Sequence, residues 1–278
     1  MLKIRKFKVE IETLEPLRIG GVEDPLSGIH NPIATVGNRV CIPGPTLKGA
    51  LRNEIENYLI DTFYDKNNKT WKPDKFHFQP CIPATKFSPD EENLIRNNKY
   101  KKIACHYPCY KRPCPSHSPG SLEKCKKNEC SPEEHMSHEI CPVCYFMGAM
   151  GLIGFVRIPF LFADISANEL YASRIDRATK TVVEGTNRSY QLVPNGTKFI
   201  GELQIIMEDT TLGWEFGKPR PLLENETKGD EWLKENSLTP EELINTYIIE
   251  RLKSIKLLGG YKSKGFGQIK IEIVEITK

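Results

Sequence analysis

The patterns along this chain run strand–helix, irregular segment, strands, helix–strand. That order predicts an α+β fold with a ferredoxin-like core of the split βαβ type, interrupted once by an insertion. Three observations carry the prediction. Apolar residues alternate at period two near both ends and again around residue 203. Two segments carry apolar stripes at helical spacing. Between residues 65 and 139 regular periodicity stops, and Asn, Lys, Pro, Cys and His dominate. A length of 278 residues is enough to bury a full core. The expected division is residues 1–64 for the first half of the core, 65–144 for the insertion and 145–278 for the second half. Two small α+β domains are the alternative.

The elements follow in order. Phe7, Val9 and Ile11 fall on one face of a strand over residues 5–13. Pro45 sits well at the start of a helix over residues 46–64, whose stripe is Leu47, Leu51, Ile55, Leu59 and Phe63. The segment 65–139 has no large apolar core of its own and needs a staple to order it. A short apolar strand is expected at 158–162, a polar, basic, turn-rich stretch at 174–194, and a long strand through Phe199, Leu203, Ile205 and Met207. Residues 209–237 read as loop. Thr239-Pro240-Glu241-Glu242 is a capping box with proline at the first helical position. The helix it opens runs to about residue 257, and a last strand covers 268–276.

Composition excludes little. The chain is 39% hydrophobic and 27% charged, an ordinary globular balance. A net charge of +3 is too weak to argue for a polyanionic partner, so such an argument must rest on local clusters. No apolar run is long enough to span a membrane. The N-terminus lacks the apolar core of a signal peptide, and a cytoplasmic location is expected.

Nine cysteines are many for such a location, and seven fall between Cys105 and Cys144. In a reducing compartment that density points to metal before disulfides. The candidate ligands are Cys105, Cys109, Cys114, Cys125, Cys130, Cys141 and Cys144, with His106, His117, His135 and His138 interleaved. Cys141-Pro142-Val143-Cys144 is a C-x-x-C knuckle that points two thiolates at one tetrahedral ion. Cys125 and Cys130 can supply a second pair, and the other three cysteines with His106 or His117 a second site. Interleaved histidines and the absence of ferredoxin spacings favour zinc over iron–sulfur, as one or two structural ions. A redox C-x-x-C is the rival, without the thioredoxin-like context. Cys41 and Cys81 read as small apolar residues.

The richest segment is Gly259-Gly260-Tyr261-Lys262-Ser263-Lys264-Gly265-Phe266-Gly267. Its glycines permit positive φ and close backbone approach, and its lysines add charge there. That combination suits a polyanion, RNA above all. Taken alone it fits equally a plain loop with solvated lysines. It lies after a helix and before a strand, the reverse of a dinucleotide fingerprint, and no P-loop pattern occurs anywhere.

This loop resembles the C-terminal glycine-rich signature of the RAMP superfamily, the RNA-binding proteins of CRISPR systems. Three further segments agree. Leu17-Arg18-Ile19-Gly20-Gly21 resembles the end of the family's first strand. Ile42-Pro43-Gly44-Pro45-Thr46-Leu47-Lys48-Gly49-Ala50-Leu51-Arg52 resembles its proline–glycine lead into the first helix. Arg174-Ile175-Asp176-Arg177-Ala178-Thr179, with Val193-Pro194-Asn195-Gly196-Thr197-Lys198-Phe199, resembles its protruding thumb hairpin, about residues 174–197. The resemblance is to the repeating backbone subunit of type III effector complexes. It implies an RRM-like RNA-binding sheet and copies polymerised along a CRISPR guide RNA. It also implies neighbouring effector subunits and target RNA recognised by base pairing.

The residues expected to grip RNA are Lys48 and Arg52 on the first helix, Arg177 and Lys180 in the thumb, and Gly259, Gly260, Lys262 and Lys264 in the glycine loop. A solvated surface is the plain alternative for the basic ones. In Gly28-Ile29-His30-Asn31-Pro32 the sequence departs from its relatives. Type III backbone subunits that cut target RNA carry an aspartate where His30 stands. Binding without cleavage is therefore the expectation. The rivals are an active target-RNA endoribonuclease using His30 or Asp24, a guide-processing endoribonuclease, and a zinc-dependent RNA-binding protein outside CRISPR.

Overall fold

The computed structural model describes residues 1–22, 31–84, 86–101, 104–105, 140–149, 151–220 and 230–276. The backbone forms two compact units. One comprises Met1–Arg5, Arg52–Arg157 and Ile205–Ile248; the other comprises Lys6–Leu51, Ile158–Gln204 and Ile249–Lys278. Strand β1 (Leu2–Thr13), helix α1 (Gly44–Phe63) and strand β10 (Lys198–Asp209) contribute residues to each.

The second unit is built on a sheet. Besides β1 and β10 it holds β2 (Thr35–Val36), β3 (Arg39–Ile42), β7 (Leu161–Ala163) and β12 (Ile269–Glu275), in the order β12-β1-β10-β7-β3-β2. Strands β1 and β12 are antiparallel, with Val9 opposite Ile273, Ile11 opposite Ile271 and Thr13 opposite Ile269. Directly opposed residues share a face, so the alternation read from Phe7, Val9 and Ile11 becomes one buried surface. Thr13 is the polar member of that face. Its hydroxyl donates to the Pro194 carbonyl at 2.8 Å and accepts from the Thr197 N–H at 2.9 Å, which fixes the turn ahead of β10 to the end of β1. Strand β3 pairs with β7, Cys41 opposite Phe162, and Phe162 also lies opposite Ile200 of β10.

A separate antiparallel hairpin joins β8 (Asn168–Ala172) to β9 (Arg188–Leu192), with a further bridge between Ile175 and Val182. The residues alone read as turns from residue 174, and a hairpin here is expected only through the family resemblance. All five residues of β8 are exposed, so no buried face exists to write a period-two pattern.

The first unit holds more regular structure than the sequence suggests. Strands β4 (Tyr64–Asp65) and β5 (Thr70–Trp71) form a short hairpin, and α2 covers Pro89–Arg96. Helix α2 buries none of its residues, which removes the apolar stripe that would announce it. Its start is legible all the same: Ser88-Pro89-Asp90-Glu91 is a capping box of the same form as that at Thr239. The 209–237 segment, read as loop, contains β11 (Trp214–Glu215) paired on β10, and it carries the fully buried Trp232. Helix α3 (Pro142–Met147) buries all six residues, and strand β6 (Val156–Arg157) follows. Tyr145, Phe146, Phe155, Phe216, Trp232 and Tyr247 form the aromatic core; the Tyr145 and Trp232 rings meet edge-on at 5.3 Å, and Phe146 stacks on Tyr247 at 5.1 Å. The helix expected to run unbroken to residue 257 is α4 (Pro240–Ile244), a π turn (Asn245–Ile249) and α5 (Glu250–Ser254).

An ion pair lies inside this aromatic core. Arg220 and Asp230 have fully buried side chains. The guanidinium donates to both carboxylate oxygens, Nε to Oδ2 at 3.0 Å and Nη2 to Oδ1 at 2.9 Å, and Nη1 donates to the Ile153 carbonyl at 3.2 Å. The Tyr145, Phe155 and Trp214 rings lie 4.9 to 5.3 Å from the guanidinium carbon. Removing one partner strands a buried charge, so Asp230→Asn is expected to cost about 3–5 kcal/mol. Denaturant unfolding of the variant should show a lowered midpoint, and an unchanged midpoint contradicts this account.

Candidate metal centre and nucleic-acid interface

Within the first unit Cys81, Cys105, Cys141 and Cys144 are buried, with all four Sγ atoms within 4.8 Å of one another. Cys81 Sγ lies 3.5 Å from Cys144 Sγ and 4.0 Å from Cys141 Sγ. A tetrahedral ion with metal–sulfur bonds of about 2.3 Å holds its sulfurs about 3.8 Å apart, so the cluster is of the right size to hold a metal ion. The local backbone explains the arrangement. Cys141 caps the N-terminus of α3, Pro142 takes the first helical position, and Cys144 returns one turn later beside it. Cys81 is tied to the approach to Cys105 by a bridge between Cys81 and Lys101, with the Lys101 N–H donating to the Pro80 carbonyl at 2.8 Å. The Cys105 N–H donates to Cys81 Sγ, and the Cys141 N–H to Cys105 Sγ, both at 3.3 Å.

Packed this closely, the thiols do not titrate alike. Burial raises Cys141, but hydrogen bonds from Cys105, Cys144 and Cys81 outweigh it and hold this thiol well below the ordinary range. Cys105 is pushed well above it, first by its bonding to Cys141 and Cys144. A cation would remove the competition, since each thiolate would then face positive charge. Four sulfur ligands leave no open position, the arrangement of a structural site.

Cys105, Cys141 and Cys144 are thus brought together as expected of metal ligands, and Cys81 joins them. Sequence reads Cys81 as an apolar residue; it is fully buried, as that reading expects, but among three other thiols, and complete burial describes both a packed thiol and a closed metal ligand. One signal could have found it: seven cysteines are one short of filling two four-ligand sites. Cys109, Cys114, Cys125, Cys130 and the histidines among them lie outside the described residues. Cys41 stays an apolar residue of β3, its thiol raised by burial.

Arg52 is not where the sequence puts it. As a phosphate contact it should face solvent. Its side chain is only 16% exposed, and it turns to the cysteines. Nη2 donates to Cys144 Sγ at 3.3 Å and to the Cys81 carbonyl at 3.4 Å, while Nε donates to Glu56 Oε1 at 2.9 Å. Tyr100 Oη donates to the other Glu56 oxygen at 3.1 Å. Burial opposes the Arg52 charge, but Cys144, Cys141, Cys81 and Glu56 together hold its pKa above the ordinary value. Burial pushes the Glu56 carboxyl up to about 7, against the pull of Arg52.

The glycine loop belongs to the second unit. The Leu258 N–H closes it by donating to the Gly267 carbonyl at 2.9 Å. It rests on the stretch that follows β1: the Gly260 N–H donates to the Arg18 carbonyl at 2.8 Å, and the Gly267 N–H to the Pro16 carbonyl at 2.9 Å. Gly259 and Gly267 have φ of 81° and 91°. A Cβ on Gly259 would strike the Arg18 carbonyl oxygen, and one on Gly267 the Leu258 carbonyl oxygen. These two glycines therefore serve the loop's own packing. Gly265, also at positive φ, has nothing within 4 Å of its Cβ position.

Tyr261 opens the turn Lys262–Lys264 from a left-handed backbone, φ 58°. Both lysines are exposed. The Tyr261 ring has the Arg18 guanidinium 5.0 Å and Lys264 Nζ 4.7 Å from its centroid, with the Tyr190 ring edge-on at 5.8 Å. Arg18 Nη2 donates to Asn31 Oδ1 at 3.4 Å, and the Asn31 carbonyl accepts from the Gln191 N–H at 3.0 Å. Arg18 Nε is buried without a partner among the described residues. Sequence reasoning quotes Arg18 and Tyr261 within motifs and names neither as a contact. The arrangement gathers two cations and two aromatic rings beside an exposed basic turn, chemistry suited to phosphates and bases. Lys48 is exposed on α1, and Arg177 and Lys180 are exposed at the end of the β8–β9 hairpin. His30 and Asp24 lie outside the described residues.

Cys81→Ser is expected to remove bound metal as completely as Cys141→Ser, whereas Cys41→Ser leaves metal content unchanged. Elemental analysis of the three purified variants decides this, and full metal in Cys81→Ser would dissolve the four-cysteine centre.

No curated protein matches this chain at a meaningful level. Among the described residues no helix is long and apolar enough to cross a membrane. The family model of the RAMP superfamily matches residues 10–270, which takes in the glycine loop, the hairpin and all four clustered cysteines. Such a match implies a CRISPR-associated RNA-binding module, and over that span the chain belongs to the RAMP superfamily.

Proposed function

We propose that this protein is a guide-RNA-binding backbone subunit of a type III-like CRISPR effector complex. Copies of it polymerise in the cytoplasm along the guide and present it to target RNA, beside other effector subunits. The observation that carries this reading is the anchored glycine loop. Its backbone hydrogen bonds to Pro16 and Arg18 hold Lys262 and Lys264 outward while Arg18, Tyr261 and Tyr190 cluster beside them. A preformed basic turn loses little freedom on meeting a phosphate backbone. The strand order β12-β1-β10-β7, with a helix after the first strand and another before the last, supports a ferredoxin-like, RRM-like core. The β8–β9 hairpin is the candidate thumb, with Arg177 and Lys180 at its end. Lys48 and the backbone at Gly260 are further candidate contacts; Arg52 is left out because its donors are engaged elsewhere.

In the same reading the metal is zinc in a structural role. Cys81, Cys105, Cys141 and Cys144 would hold it, and the site would staple residues 81–144. The four cysteines between 106 and 139 leave material for a second ion. The complex binds target RNA without cutting it, because His30 stands where the nucleases of the family place a carboxylate.

Three experiments test this. Lys262→Ala with Lys264→Ala should weaken guide binding about equally for all guide sequences and lower the salt slope by roughly one unit for each lost contact. Native mass measurement with a long guide should show several chains per RNA; a single bound chain refutes the backbone role. Separately, the wild-type complex should leave complementary RNA intact with or without divalent metal. Cleavage abolished by His30→Ala or by Asp24→Ala would make the protein an endoribonuclease.

A further inference from the structure

We infer that Arg52 is the outer partner of the four-cysteine metal centre, orienting and charge-balancing its thiolates, and is not a contact to RNA. The inference rests on reading the cluster as a metal site. A divalent ion bound by four thiolates carries a formal excess of two negative charges, and burying that excess is costly unless cations or N–H donors face it. Two backbone N–H groups already face the sulfurs, from Cys105 to Cys81 and from Cys141 to Cys105. Cys144 Sγ receives its side-chain donor from Arg52 at 3.3 Å, and the same Nη2 lies 3.8 Å from Cys81 Sγ. One guanidinium nitrogen thus addresses two cysteines that are 63 positions apart and only 3.5 Å apart in space.

The guanidinium is itself held. Glu56, one turn along α1, takes Nε at 2.9 Å, and Tyr100 fixes the second Glu56 oxygen. Glu56 and Arg52 side chains are only 12% and 16% exposed. The path runs Tyr100, Glu56, Arg52, Cys144, with a hydrogen bond at each link. A planar fork can serve a carboxylate and a sulfur together; an ammonium group carries the same charge without that geometry. For RNA to recruit Arg52, Nη2 would have to leave two sulfurs and a carbonyl.

The test compares Arg52→Gln, Arg52→Lys and Lys48→Ala in the full chain. Metal retention is measured by competition with a chromophoric zinc chelator. Partners of this kind contribute about 10–100-fold to metal affinity. Arg52→Gln is expected to lose that much, and Arg52→Lys less. Both should keep the sulfur-to-cobalt charge-transfer band of the cobalt-substituted protein, because the four ligands are unchanged. Lys48→Ala should bind zinc like the wild type. Guide binding by the zinc-loaded Arg52 variants should keep the wild-type salt slope. Wild-type zinc affinity in Arg52→Gln overturns the inference, as does a salt slope lowered by about one unit in the zinc-loaded variant. If Arg52→Gln does not fold, wild-type zinc affinity in Arg52→Lys overturns it equally. A wild-type protein that takes up neither zinc nor cobalt overturns the metal-centre reading and this inference together.

Discussion

Four sulfurs within 4.8 Å of one another bring three distant stretches of the first unit to one point. They come from three places along the chain: residue 81, residue 105, and the C-x-x-C at 141–144. Among the described residues between 65 and 105, regular structure is sparse. Helix α2 buries nothing, and β4 and β5 are two residues each. The segment does bury Trp71, Phe78, Ile82 and Tyr100, a modest apolar contribution against the entropy of ordering its backbone. A metal ion held by the four sulfurs would tie distant parts of the chain as well, as metal sites do in other small domains. The aromatic core around Tyr145 and Trp232 sits on α3, the helix capped by Cys141, so core and cluster share one element.

The second unit is organised by close backbone approach instead. Gly259 and Gly267 let the loop lie against the carbonyls of Arg18 and Leu258, where a Cβ would collide. Hydrogen bonds from Gly260 and Gly267 hold it there. The family signature at this place is therefore first a packing motif. Its packing projects Lys262 and Lys264 and brings Tyr261 against Arg18. Glycine pattern and basic charge are two parts of one device: the glycines set the backbone, and the backbone aims the side chains.

Arg52 illustrates how a helix face can mislead. Leu47, Leu51, Ile55 and Leu59 are all fully buried, as their spacing promises. That stripe says where the apolar side of α1 points. It does not say that the other side is wet along its whole length. Glu56 is also buried, and with Arg52 it forms a polar path to the thiols. A charged residue off the apolar stripe can face solvent or a second, polar interior, and helical periodicity alone does not distinguish these.

What the sequence by itself determined was whatever is written locally. Strand alternation at residues 7–11, the stripe of α1, the capping box at Thr239 and the C-x-x-C turn are each set by neighbours a few positions apart, and each stands in the structure. The family was legible too, since its motifs are short runs whose order survives in one dimension. Tertiary structure alone decided the rest. Cys81 is 24 residues from its nearest partner, Cys105, and no local rule joins them. Arg18 and Tyr261 meet only because the last strand pairs with the first. Hairpin β8–β9 and helix α2 bury no continuous face, so they left no hydrophobic pattern to read. Periodicity records which side of an element is dry; it carries no record of which distant residue waits there.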